Sequence, residues 1–129
     1  NLLYGVNAVT YGNNTFVTVG HAGTILTSSD GTSWDNRTSG TKDLKGVNYG
    51  NSIFVVAGVS GTILTSSDGT TWTSRTSGTS NDLYGVAFAN NTFVVVGVSG
   101  TILTSSDGIT WTSRTSGTTN TLWGVTYSQ

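Results

Sequence analysis

"SSDGTSW" occupies Ser28–Trp34, "SSDGTTW" occupies Ser66–Trp72 and "SSDGITW" occupies Ser105–Trp111. Three of the chain's four Trp close this heptad. Thirty-eight residues separate Trp34 from Trp72, and thirty-nine separate Trp72 from Trp111. Phe16, Phe54 and Phe93, in "NNTFV", "NSIFV" and "NNTFV", keep the same two spacings. A fixed period of this size marks a repeat architecture, so the repeat decides the fold before any local propensity is weighed.

Outward from the heptad, one unit reads from Leu83 to Thr118. "LYGVAF" is a short apolar run and "TFVVVG" is rich in β-branched and aromatic residues. "TILTS" follows, and "WTSRTS" is polar and solvent-facing. Each reads as a strand, and "ANN", "VSG" and "SDGIT" supply turn residues between them. Four strands in about 40 residues is the period of a propeller blade. Ankyrin and tetratricopeptide units need helices, which these runs do not encode. Leucine-rich repeats are shorter, and β-helix coils lack so polar an outer strand. The expected fold is all-β: three four-stranded antiparallel blades over 6–40, 44–79 and 83–118. Residues 119–129, "LWGVTYSQ" included, read as an extra inner strand of a fourth unit. Val59–Gly69 recurs letter for letter at Val98–Gly108, which points to recent duplication or to design.

In the heptad, Asp30, Asp68 and Asp107 are suited to accept backbone N–H groups and close a turn. The serine before each aspartate can add a cap. Gly31, Gly69 and Gly108 supply a positive φ. Trp34, Trp72 and Trp111 then pack into the blade or its neighbour. The three aspartates fall on separate blades, too far apart to share one metal ion, so no metal site is expected.

The heptad resembles the Asp-box of sialidase-type (BNR) repeats, with Gly one place earlier than in S-x-D-x-G-x-T-W. The whole unit is similar to repeats of the photosystem II assembly factor (Ycf48-like) family and related bacterial BNR-like propellers. That resemblance implies the propeller fold. It leaves function open, because such repeats serve enzymes, assembly factors and lectin-like modules alike.

Composition narrows the functional classes. The net charge of −1 and 9% charged residues give no electrostatic footprint for nucleic acid. No apolar run approaches the roughly 18 residues of a membrane helix, and no signal peptide is read. No Cys is present, so disulfides and Cys-ligated metals are excluded, and no cofactor is expected. The chain starts at Asn1 without Met, as a processed chain, a fragment or an engineered one would.

Catalysis is poorly supported. All six acids are Asp, so the Glu of a sialidase-type mechanism is missing. Arg37, Arg75 and Arg114 are equivalent positions on outer strands, not one cluster. No strained nucleophile elbow accompanies His21 for Ser–His–Asp chemistry. No phosphate-loop Lys follows the Gly-rich stretches. The expected function is a non-enzymatic scaffold or assembly module. A lectin-like or peptide-binding module and an inactive glycosidase remnant are the alternatives. The candidate ligand face is where copies differ: Lys45, Tyr84 and Trp123 follow the inner-strand Leu in successive units, and His21 stands where Val59 and Val98 stand. Aromatic rings there suit a carbohydrate or a peptide.

Three blades do not close a ring. A homodimer would give six blades about a two-fold axis, a trimer nine, and a larger propeller could contain all three as a fragment. Strand exchange is expected at the seam, by either terminal strand.

Overall fold

The computed structural model describes residues 5–128. Within them the chain forms twelve strands and no α-helix, arranged as three four-stranded antiparallel sheets. The first blade holds β1 (Val6–Gly12), β2 (Thr15–Gly20), β3 (Ile25–Ser28) and β4 (Asp35–Asn36). The second holds β5 (Leu44–Gly50), β6 (Ile53–Gly58), β7 (Ile63–Ser66) and β8 (Thr73–Arg75). The third holds β9 (Leu83–Ala89), β10 (Thr92–Gly97), β11 (Ile102–Ser105) and β12 (Thr112–Arg114). Each sheet runs in chain order, as a meander.

Local chemistry explains the hairpins. Asn13–Asn14, Asn51–Ser52 and Asn90–Asn91 all have positive φ. Two consecutive left-handed residues make the turn whose twist matches paired strands, and Asn tolerates that region better than most residues. The outer strands β4, β8 and β12 are only two or three residues long and polar. Each Trp stands just ahead of its outer strand rather than in it, because the turn extends through the residue before the strand begins.

Alternation along the middle strands gives every blade two apolar faces. Val17, Val19 and Ile25 on the first blade pack against Phe54, Val56 and Leu64 on the second. Val55, Ala57 and Ile63 on the other side of the second blade pack against Phe93, Val95 and Leu103 on the third. The front of one blade thus covers the back of the next, and the middle strands of the second blade are buried on both faces. Each back face carries an aromatic trio at matched positions: Tyr11, Phe16 and Trp34, then Tyr49, Phe54 and Trp72, then Phe88, Phe93 and Trp111.

Glycine makes the inner seam possible. A Cβ on Gly12 would lie 2.2 Å from the Tyr49 ring, and one on Gly50 would lie 2.2 Å from the Phe88 ring.

The first inner strand begins at Val6, so its frame differs from that of the later blades. The motif "LYGV" begins at Leu3, and Leu3 and Tyr4 lie outside the described residues. The pairing Val6↔Gly20 and Ala8↔Val19 puts Val6 at the place of Leu44 and Asn7 at the place of Lys45. Ala8 therefore stands where later blades have Gly46 and Gly85. Residues 119–128 form no strand, because no second strand lies beside them.

A substitution tests the seam. Gly50→Ala should lower unfolding stability by about 1–3 kcal/mol in a denaturant titration, as overpacking does.

Candidate functional site

The three heptad turns share one geometry. Asp68 Oδ1 accepts the backbone N–H of Thr70 at 2.8 Å and of Thr71 at 2.9 Å. Asp30 accepts from Thr32 and Ser33, and Asp107 from Ile109 and Thr110, at the same distances. The assisting serine is the first of each pair, not the one directly before the aspartate: Ser66 Oγ donates to Asp68 and accepts from the N–H of Gly69 at 2.7 Å. Only that serine ends a strand with its side chain directed into the turn. The indole N–H of Trp72 donates to the Gly69 carbonyl at 3.0 Å, and Trp34 and Trp111 repeat the bond to Gly31 and Gly108. Gly31, Gly69 and Gly108 all have φ near +80°.

The second and third of these turns also touch the preceding blade. A Cβ on Gly69 would be 3.7 Å from Thr15 and 3.8 Å from Thr27 on the first blade, and one on Gly108 would be 3.3 Å from Val55 on the second. Gly69 and Gly108 are buried, whereas Gly31 is exposed. The heptad is thus both a turn closure and part of the blade seam.

The charged form of each aspartate is what the turn binds. Asp68 is held below the usual carboxylate range first by the Thr71 N–H, then by the Thr70 N–H and the Ser66 hydroxyl. Asp107 is lowered by Thr110, Ile109 and Ser105 in the same order, and Asp30 by Ser33, then Thr32, then Ser28. The side-chain nitrogens Arg37 Nε, Arg75 Nε and Arg114 Nε donate to Thr27, Thr65 and Thr104, one in each blade. They are cross-strand ties rather than a shared anion pocket. Among the described residues no group of three or more His, Cys, Asp or Glu lies close enough to hold a metal ion.

The loop face differs from blade to blade. Lys45 and Tyr84 each sit at a β-bulge, between Leu44 and Gly46 and between Leu83 and Gly85. A bulge inserts one residue against the partner strand and re-aims its side chain. Trp123 takes the corresponding place on the segment that follows: Leu122 N–H donates to the Gly97 carbonyl at 2.9 Å, and a Cβ on Gly85 would be 3.2 Å from Gly124. The structure brings Tyr84 and Trp123 together as a stack, with centroids 4.6 Å apart and planes at 21°. Trp123 is 69% exposed.

His21 lies elsewhere on this face, with Nδ1 3.3 Å from Asp43. Asp43 was not singled out by sequence, yet it accepts the N–H of Ala22 across the seam at 2.8 Å, and Asp82 accepts that of Ser60 likewise. The donors are residues held at φ 54° and 57°. The signal was present in the recurrence of Asp ahead of the inner-strand Leu at 43 and 82. A cleft of 830 Å³ lies apart from the stacked pair, between outer edges of the second and third blades beside Trp111 and Arg114. A 300 Å³ counterpart opens between the first and second blades beside Trp72, which makes this cleft a property of the seam.

The comparisons agree with this architecture. The model of the DUF6242 beta propeller domain matches residues 36–129. No curated protein sequence matches the chain. Among solved structures, "YCF48 bound to D1 peptide" superposes with a TM-score of 0.72 at 17% identity, over 85% of this chain and 39% of that one. YCF48 from Cyanidioschyzon merolae superposes with a TM-score of 0.71 at 22% identity, over 88% and 38%. The chain therefore spans about two fifths of the length of these similar structures. A GH130-family structure aligns at a TM-score of only 0.49, too loosely to carry an argument.

The aspartate turns set a pH dependence. A carboxyl lowered on folding contributes stability that is complete above its unfolded pKa and is lost as pH falls through the lowered value. Thermal midpoints should therefore be level near neutrality and fall below about pH 4. The double substitution Asp68→Asn, Asp107→Asn should lower the neutral midpoint and flatten the acid decline, read by circular dichroism melts across the pH range.

Proposed function

Because the chain belongs to the DUF6242 beta propeller domain family, we propose that it works as a non-enzymatic propeller scaffold that binds an extended peptide across the rim carrying Lys45, Tyr84 and Trp123. The observation that carries this reading is the Tyr84–Trp123 stack. Two successive repeats present large rings side by side at the position where the copies differ. Rings held by each other lose little conformational entropy on binding, and Tyr and Trp are the residues through which interfaces gain most. The bulge beneath Tyr84 fixes the direction in which the ring is offered. A similar fold has been solved as YCF48 bound to a D1 peptide, which lends support to a peptide as the ligand class. Lys45, one blade earlier, would favour a carboxylate or a peptide carbonyl at that end.

The test is a peptide-library selection on the immobilised chain, followed by titration of selected peptides with Trp fluorescence as readout. Tyr84→Ala and Trp123→Ala should each weaken binding about tenfold, as truncation of an aromatic anchor does, with the far-ultraviolet spectrum unchanged. Selection that yields no peptide, together with specific hits on a glycan array lost in the same two variants, would replace this reading with a lectin-like one.

A further inference from the structure

The back face of the first blade is the same surface that is covered in the second and third blades. Phe54 and Phe93 are fully buried there, and Gly69 and Gly108 lie against the preceding blade. On the first blade Phe16 is half-buried, and Gly31, Trp34 and Tyr11 are exposed. Val6, Ala8, Val9, Phe16 and Trp34 line a shallow hollow of 520 Å³. The third blade shows the matching deficit on its front face. Val94 and Ile102 are only half-buried, whereas Val55 and Ile63, and Val17 and Ile25, are buried completely at those positions. One end of the chain thus presents the surface that its other end is built to cover.

Residues 122–127 stand between the two. They lie on the third blade as β9 lies on the second, and among the described residues no strand pairs with them. Their letters, "LWGVTY", repeat "LYGVAF" of β9, with Gly124 at the place of Gly46 and Gly85. The strand that fills this role in the first blade fits it less well. Ala8 replaces that glycine, where a Cβ on Gly46 would be 2.8 Å from the next inner strand's carbonyl. Val6 is 53% exposed and Val9 61%, against 0% for Leu44 and 7% for Val47 at the matching positions, because no blade covers the back of the first.

We propose that the 129-residue chain associates head to tail with a second copy of itself, and that residues 122–127 of each copy pair with β2 of the other in place of β1. The incoming strand brings the front of one copy's third blade onto the back of the other's first blade. Both apolar ends are covered, and the unpaired edge of residues 122–127 gains a partner strand. Two copies complete six blades, a ring size that propellers use. The net charge of −1 opposes this little.

The experiment is light scattering on a sizing column for the wild-type chain and two variants, with circular dichroism to check folding. The wild type should run at twice its 13.4 kDa. Val125→Asp places a charge at a site that is buried only in the exchanged blade and should halve the mass. Val9→Asp alters the strand that is released and should leave the two-chain mass intact. A wild type that runs as one chain overturns the proposal. So does dissociation by Val9→Asp, or persistence of the two-chain mass in Val125→Asp. None of these substitutions touches Tyr84 or Trp123, so the outcome is independent of peptide binding.

Discussion

Tyr49 can approach the end of the first inner strand because Gly12 has no Cβ, and Phe88 meets Gly50 in the same way. This close approach sets the spacing at which one sheet lies on the next. With the inner strands that near, the valines and isoleucines of one front face reach the aromatic trio behind the following blade. Each seam then becomes an apolar core with no α-helix to complete it. The aspartate turns close against the same seam through Gly69 and Gly108. Asp43 and Asp82 clasp its opposite end. Backbone approach, core and turn closure are thus one arrangement, repeated.

Much of this could be read from the letters. The heptad, its period and the alternating runs before it specify three four-stranded sheets, since every strand and hairpin is a local event governed by residues a few positions apart. What the letters did not expose is the choice between equivalent residues within a blade and the contacts between blades. Ser28, Ser66 and Ser105 are indistinguishable in sequence from the serines that follow them, and only strand direction selects them. The frame of β1 was ambiguous because "LYGV" and "VNAV" both offer an inner strand, and the pairing of Val6 with Gly20 favours the second. Asp43 acts on Ala22, a residue of another blade, so no window within one unit contains the interaction.

The candidate ligand rim was legible for a different reason. Blades that must stack alike are constrained alike, and positions free of that constraint are the ones that drift. Lys45 and Tyr84 could differ because a bulge turns them out of the seam. Sequence marked them as variable, but it could not reveal the stack between Tyr84 and Trp123, which depends on the distance between consecutive inner strands.

The letter-for-letter identity of Val59–Gly69 and Val98–Gly108 gives the molecule an internal control. The same residues, with the same intrinsic propensities and the same unfolded-state preferences, occupy two surroundings: Ile63 is fully buried and Ile102 is not. Any difference between the two segments in amide exchange or side-chain mobility therefore measures position alone. Arrays of near-identical units are also prone to exchanging equivalent parts while they fold. A chain that contains one segment twice has two equally well-encoded places for it, and only the neighbouring blades, once formed, distinguish them.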